Sequence, residues 1–194
     1  MPRKRKRKHP NESPCAYIKR KYSYWVRMIA STKKTKLEHA YSICMPKDGI
    51  DFIIGECSGT KCSVSPVYCP DEIPRSFNHT HPGPGQNLNH FSIADMASGL
   101  AVKSPFDCLY SINDKRGLCI TYRQDLSEDE KQKVQECRAV ERQIKKRKTE
   151  AGWKKLDKCY QQIPQIVGQS FCEYGLKQRA KKIDYKGRIA VKLQ

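Results

Sequence analysis

Two histidines that stand two positions apart are the residues of this chain best suited to chemistry. They are His79 and His81, and Pro82 comes directly after them. In an extended segment the side chains alternate between two faces, so residues i and i+2 point the same way. Both imidazoles can therefore approach a single metal ion. Histidine pairs at this spacing are also common on protein surfaces, so the pair alone does not establish a metal site.

The segment after the histidines supplies a carboxylate. Glycine, proline and asparagine dominate residues 83–89 and turn the chain. Ser92 and Asp95 then form a Ser-x-x-Asp sequence, which is typical of the N-terminus of a helix. Asp95 falls in the first helical turn, where its negative charge is favoured. Two histidines and a carboxylate, with a fourth position left to water, are the pattern of a catalytic zinc site.

The order His-x-His-Pro and then Ser-x-x-Asp resembles the signature of the JAB/MPN/JAMM metalloprotease family. The resemblance implies a zinc ion held by His79, His81 and Asp95. It also implies hydrolysis of a peptide or isopeptide bond by a zinc-activated water, with a protein or a ubiquitin-like conjugate as substrate. In that family the serine, here Ser92, helps to polarise the scissile carbonyl.

The resemblance further implies an upstream glutamate that takes the proton from the water as general base. Glu56 opens Glu-Cys-Ser-Gly, which resembles the Glu-x-x-Gly around the family's glutamate, and it ends an apolar strand. We therefore predict Glu56 as the base. Glu38, at a longer spacing and at the start of another predicted strand, remains an alternative. Asp51, which precedes Phe-Ile-Ile, is a second alternative.

The elements that must position these residues are predicted by the apolar pattern and the turn signals. We expect strands over residues 38–44, 50–57, 61–67 and 75–81, a helix over 92–102, and a hairpin of 106–112 with 118–122. Strands on both sides of a helix predict an α/β domain, with a mixed sheet and flanking helices. The resemblance implies a JAB/MPN-like, that is cytidine-deaminase-like, version of this fold.

The chain divides by composition into three parts. Residues 1–36 form a basic N-terminal arm and extension, in which residues 15–37 are predicted as a strand or short helix. The resemblance implies a JAB/MPN-like domain over residues 37–124, and residues 125–194 are predicted as a helical and basic C-terminal extension. In the last part we expect a helix over 128–150, a further apolar stripe that Pro164 stops, and a late strand in the tail.

The net charge of +18 over 194 residues favours polyanionic partners. Six consecutive basic residues, Arg3 to Lys8, are typical of a nucleic-acid-binding arm or a nuclear localisation signal, and equally of a solubilising tail. A second functional hypothesis is therefore a basic nucleic-acid-binding protein that keeps the JAB-like fold as a scaffold without peptidase activity.

The expected location is the cytoplasm, or the nucleus if the basic run is a signal. No apolar run has the length of a membrane span, and no apolar signal-peptide core is present, so we expect no membrane partner. The chain has ten cysteines and no Cys-x-x-Cys pair. Because disulfides are rare inside cells, we expect most cysteines to be small buried residues, with one or two disulfides.

Overall fold

A computed structural model describes residues 13–20, 22–46, 52–60, 69–70, 73–82, 91–175 and 181–183. The helices are α1 (Pro14–Arg20), α2 (Tyr22–Thr35), α3 (Ile93–Ala101), α4 (Glu128–Lys146) and α5 (Glu150–Val167). The strands are β1 (His39–Cys44), β2 (Phe52–Ser58), β3 (Arg75–His81), β4 (Phe106–Ser111), β5 (Arg116–Tyr122), β6 (Gly168–Gly175) and β7 (Lys181–Ile183).

These strands form one mixed sheet in the order β2-β1-β3-β4-β5-β6-β7. β3 and β4 run parallel, and every other neighbouring pair of the described strands is antiparallel. Since parallel neighbours need a crossover, the chain leaves the end of β3, passes through α3 and returns as β4. The α/β fold with a mixed sheet is confirmed. The start of α3 therefore follows the end of β3 in the chain, and both carry candidate ligands.

Helices cover both faces of the sheet. On one face α3, α4 and α5 bury Leu109 of β4 and Ile120 of β5. On the other face α1 and α2 bury the neighbouring positions, Tyr110 and Cys119. Strands that are buried on both faces are apolar along their whole length, which explains the near-continuous apolar runs of β4 and β5.

An aromatic residue of the N-terminal part packs onto the sheet. Trp25 of α2 is buried, and its ring lies 6.0 Å from that of Tyr41 and 5.4 Å from that of Tyr174. This region forms two helices, α1 and α2, where a strand or one short helix was predicted. The cause is tertiary packing, because one side of α2 packs against β1 and β3. Burial of this side stabilises the helix more than the weak local sequence pattern favours a strand.

The local predictions within 37–124 agree with the structure at β1, β2, β3, α3 and the β4–β5 hairpin, to within two residues at each end. The strand predicted over 61–67 and the tail after residue 183 lie outside the described residues. Pro164 does not end its helix, which continues to Val167. A proline in the last turn removes only one intrahelical hydrogen bond, and the Pro164 carbonyl still accepts from the Gly168 N–H.

Two further corrections concern the C-terminal part. Residues 168–175 form β6, a strand that the sequence pattern did not reveal, and it pairs with β5. The described residues also contain four disulfides, where one or two were expected. They are Cys15–Cys172, Cys44–Cys69, Cys108–Cys119 and Cys137–Cys159. No helix among the described residues is both long enough and apolar enough to cross a membrane.

Candidate metal centre

β3 carries His79 and His81 to one point on one face of the sheet. Both side chains are buried, at 2% and 4% exposure. Their Nε2 atoms lie 3.0 Å apart, and their ring centroids 4.9 Å. The alternation of an extended strand therefore does what the spacing predicted, and it directs two imidazole nitrogens at the same site.

The start of α3 supplies the carboxylate by the predicted capping box. The Ser92 hydroxyl accepts from the Asp95 N–H at 3.0 Å and donates to Asp95 Oδ2 at 2.7 Å. The Ser92 N–H donates to the same Oδ2 at 2.9 Å. These bonds hold Asp95 Oδ2 3.7 Å from His79 Nε2. One ligand atom from each of His79, His81 and Asp95 lies within 4.8 Å of the other two.

The protonation states of these groups suit a cation. The pKa of His79 is lowered to about 4, chiefly by burial. The charge of Asp95 opposes this shift, and His81 contributes to it. His79 is therefore neutral at pH 7, with a lone pair to offer. Burial would raise the pKa of Asp95, but the two histidines and the hydrogen bonds from Ser92 hold it below its usual value. Asp95 is consequently ionised at neutral pH.

The donor set fits zinc. Ligands about 2.0–2.1 Å from a tetrahedral zinc are about 3.3 Å from one another, and the observed separations of 3.0 and 3.7 Å lie on either side of that value. His79 Nδ1 is buried and has no hydrogen-bond partner among the described residues. Aromatic packing fixes this ring instead, with Phe77 stacked at 5.1 Å and Phe91 edge-on at 6.2 Å.

Glu38, the residue directly before β1, joins this group. The register that pairs Ala40 with His79, continued by two residues, places Glu38 opposite His81 and on the same face. Two bonds between His39 and Thr80 support the continuation: the His39 N–H donates to Thr80 Oγ1 at 3.2 Å, and Thr80 Oγ1 donates to the His39 carbonyl at 3.3 Å. The backbone of Glu38 is held as well, since its N–H donates to the Thr60 carbonyl at 2.8 Å.

The Glu38 side chain is 4% exposed, which is unusual for a carboxyl group. Burial raises its pKa to about 8, and the negative charge of Asp95 adds to the rise while Lys145 of α4 opposes it. The strand register and this electrostatic effect agree in putting Glu38 on the same side of the sheet as the candidate ligands. A buried acid that titrates near neutrality beside a metal-type cluster has the properties of a general base.

The two other candidate bases stand differently. Glu56 lies in β2 opposite Tyr41, and β1 separates β2 from β3. Tyr41 belongs to the sheet face that α1 and α2 cover, whereas Ala40, its neighbour in β1, is paired with His79. Asp51 lies outside the described residues. Of the three acids, Glu38 is the one whose side chain the structure describes, and the strand register puts it on the face of His79 and His81.

A second buried carboxylate, Asp107 of β4, lies behind Asp95. It accepts hydrogen bonds from the Phe77 N–H at 2.7 Å, Ser104 Oγ at 2.8 Å and Tyr122 Oη at 3.0 Å. Burial nevertheless raises its pKa to about 6. A cavity of about 70 Å³ is lined by both aspartates. Asp107 was not among the residues predicted from the sequence, although an acid inside a predicted buried strand was a signal.

Glu141 of α4 was also missed, and it lies 3% exposed against the first turn of α3. Its signal was its place at helical spacing among the apolar residues Cys137 and Ile144 of the buried face.

Comparison of the chain with models of protein families, with curated proteins and with solved structures finds no match in any of the three. The function must therefore be inferred from the geometry of the site.

Proposed function

We propose that the protein is a zinc-dependent hydrolase of peptide or isopeptide bonds, of the JAB/MPN type. The observation that carries the proposal is the convergence of the buried His79 and His81 with the partly buried Asp95, while the buried Glu38 lies on the same side of the sheet. A hydrolytic zinc site needs these parts: three protein ligands, and a base near the remaining position. The family resemblance of the His-x-His-Pro and Ser-x-x-Asp segments supports the same assignment.

In this proposal His79 and His81 through Nε2, and Asp95 through its carboxylate, hold the zinc ion. When bound, zinc acts as a Lewis acid and lowers the pKa of a coordinated water toward neutrality. The capping box of Ser92 orients the carboxylate before any ion arrives, so little has to move. The partly buried ring of Phe77 and the buried ring of Phe91 pack against His79 and keep it in place.

We propose Glu38 as the group that takes a proton from the attacking water and passes it to the leaving amine. A neighbouring cation favours the ionised form of a carboxyl, so Glu38 would titrate below its value of about 8 and nearer the working pH when the site is filled. General bases work best when their pKa lies near that pH. Glu56, favoured by the sequence, is kept as the alternative in the test.

Ser92 is proposed to polarise the substrate carbonyl. Its single hydroxyl proton points at Asp95 Oδ2 in this structure. Donation to a substrate oxygen therefore requires the hydroxyl to rotate away from Asp95, which still receives the Ser92 N–H. The proposed substrate, a protein or a ubiquitin-like conjugate, comes from the family resemblance.

The experiment that tests the proposal measures zinc content and hydrolysis of a panel of peptide and isopeptide-linked ubiquitin-type substrates. Zinc-loaded protein should cleave a member of the panel, and Glu38→Gln should bind zinc without cleaving. If the wild type binds zinc but cleaves no member of the panel, the metal centre is supported and the hydrolase function is refuted.

A second candidate function, binding of a nucleic acid on the fold as scaffold, is favoured by a specific feature. A groove of about 520 Å³ runs between α4 and α5, and its charged lining residues are three lysines and one acid: Lys133, Lys155, Lys158 and Glu136. The basic run 145–148 lies at the end of α4. Phosphate neutralisation by such residues makes binding strongly salt-dependent, which gives this function its own test.

A further inference from the structure

The charged side chains of α4 divide into an exposed majority and one buried exception. Glu136 is exposed like most of its charged neighbours, whereas Glu141 is 3% exposed. An ionised carboxylate is costly to bury unless hydrogen bonds replace its lost hydration. A buried glutamate on a helix that is otherwise solvated on its polar side therefore needs a structural reason.

The reason is a set of three donors that converge on Glu141. The Ala94 N–H donates to Oε2 at 3.0 Å, and the Ile93 N–H donates to Oε1 at 3.4 Å. Tyr160 of α5 donates its hydroxyl to Oε1 at 2.6 Å. Because all three neighbours donate, the carboxylate acts here as an acceptor only. Tyr160 is itself buried, so α5 as well as α3 holds Glu141 in place.

The two backbone donors are the first two N–H groups of α3. These groups have no acceptor within their own helix. Ser92 takes the third, that of Asp95, through its hydroxyl at 3.0 Å. Glu141 and Ser92 thus share the N-terminal donors of α3 between them. The negative charge at this end also complements the helix dipole.

We propose that Glu141, braced by Tyr160, is a positioning residue for the metal centre. Its two bonds fix the depth and rotation of α3 against α4, and Asp95 comes directly after the two bonded residues. The carboxylate of Asp95 therefore meets His79 at the distance that the histidines of β3 require. Both Glu141 and Tyr160 lie outside residues 37–124, the part that carries the family resemblance.

This inference rests on the proposed metal centre, and one set of measurements separates the two. Zinc affinity of the full-length protein is measured by competition with a chromophoric chelator. Glu141→Gln should lower the affinity by about 10- to 100-fold, the usual effect of losing a group that orients a metal ligand. Tyr160→Phe should lower it by a smaller factor in the same direction. Glu136→Gln, with the same charge change at an exposed site of α4, should leave it unchanged.

A double-mutant comparison asks whether Glu141 acts through Asp95. In an Asp95→Ala background, Glu141→Gln should cause no further loss of zinc affinity, because the ligand that it positions is gone. An equal loss in both backgrounds would overturn the inference, since Glu141 would then act on the fold as a whole. Unchanged affinity in a folded Glu141→Gln protein would overturn it too.

Two readouts keep the test decisive. The visible spectrum of the cobalt-substituted protein reports ligand geometry, and it should change in Glu141→Gln but not in Glu136→Gln. If Glu141→Gln fails to fold, Tyr160→Phe, which removes a single hydroxyl, supplies the comparison in both backgrounds. A wild type that binds no zinc would refute the metal centre itself. A wild type that binds zinc while both variants match it would refute this inference alone.

Discussion

The antiparallel register of β1 and β3 pairs Ala40 with His79, and continued by two residues it puts Glu38 opposite His81. An acid that is 4% exposed thereby shares a sheet face with two buried imidazoles. Electrostatics and hydrogen bonding then divide the two acids of the site: the pKa of Asp95 is lowered, and burial raises that of Glu38 to about 8. One carboxylate is suited to binding a cation, and the other to accepting a proton.

The first prediction concerns catalysis by Glu38. Glu38→Gln keeps the shape of the side chain but removes the basic carboxylate, so hydrolysis should fall by about 10² to 10⁴. Zinc content should stay the same, because Glu38 is not among the proposed ligands. Glu56→Gln is the matched comparison and should keep nearly full activity. The reverse result, an inactive Glu56→Gln and an active Glu38→Gln, would move the base to β2.

A second prediction is that purified protein binds about one zinc per chain. The double variant His79→Ala with His81→Ala should lose this metal, as measured by elemental analysis of dialysed protein. Its circular dichroism spectrum should remain that of a folded chain, because the two rings lie at the end of β3. His9→Ala, a change in the basic arm, should keep the zinc. Full metal content in the double variant would rule out the site.

Stability of the metal-free protein should depend on pH through Glu38. Its pKa is about 8 in the folded state and 4.5 ordinarily, so between these values only the folded state holds the proton. The unfolding free energy therefore loses up to about 1.4 kcal/mol per pH unit across that window, and levels off above it. Glu38→Gln has no such loss, so its stability relative to wild type should increase from pH 4.5 to 8.

Urea unfolding of the two proteins at several pH values checks this expectation. His79 acts in the opposite sense, because its pKa is lowered to about 4 and stability is lost as pH falls from 6.5 toward that value. His79 is present in both proteins, and its contribution cancels to first order in the difference. A difference in stability that stays constant with pH would mean that Glu38 is ionised in the folded protein.

Polyanion binding should respond to the basic arm. Deletion of residues 1–10 removes six lysines and arginines. The slope of log affinity against log salt should then decrease by as much as about 5, with each lost phosphate contact contributing about 0.9 on duplex DNA. Replacement of Lys133, Lys155 and Lys158 with glutamine shows whether the groove between α4 and α5 contributes as well. An unchanged slope after the deletion would exclude the arm from binding.

The parts of the site that short-range rules govern could be predicted from the sequence. Strand alternation brings His79 and His81 together, and a capping box orients Asp95 with Ser92, within three residues in each case. The same rules predict the strands and the helix around them. The α/β class is predictable because a helix between parallel strands is the usual crossover.

The remaining parts depend on pairing between distant segments. Glu38 reaches His81 only through the register of β1 and β3, which pairs residues about 40 positions apart. Local resemblance to Glu-x-x-Gly favours Glu56, because such a pattern carries no information on strand pairing. Glu141 contacts α3 only when α4 packs against it. Cys15 forms a disulfide with Cys172, which is 157 positions away in the sequence. No pattern in a single sequence specifies such partners.

The link between Cys15 and Cys172 has a consequence for biosynthesis. Its two ends lie in α1 and in β6, so they emerge from the ribosome far apart in time. The core under α1 and α2 also needs Tyr174, which contacts Trp25. Domains generally fold as units during or after synthesis. The N-terminal helices therefore cannot complete their packing until β6 has been synthesised. A nascent chain stalled before residue 168 would expose the apolar side of α1 and α2 to chaperones.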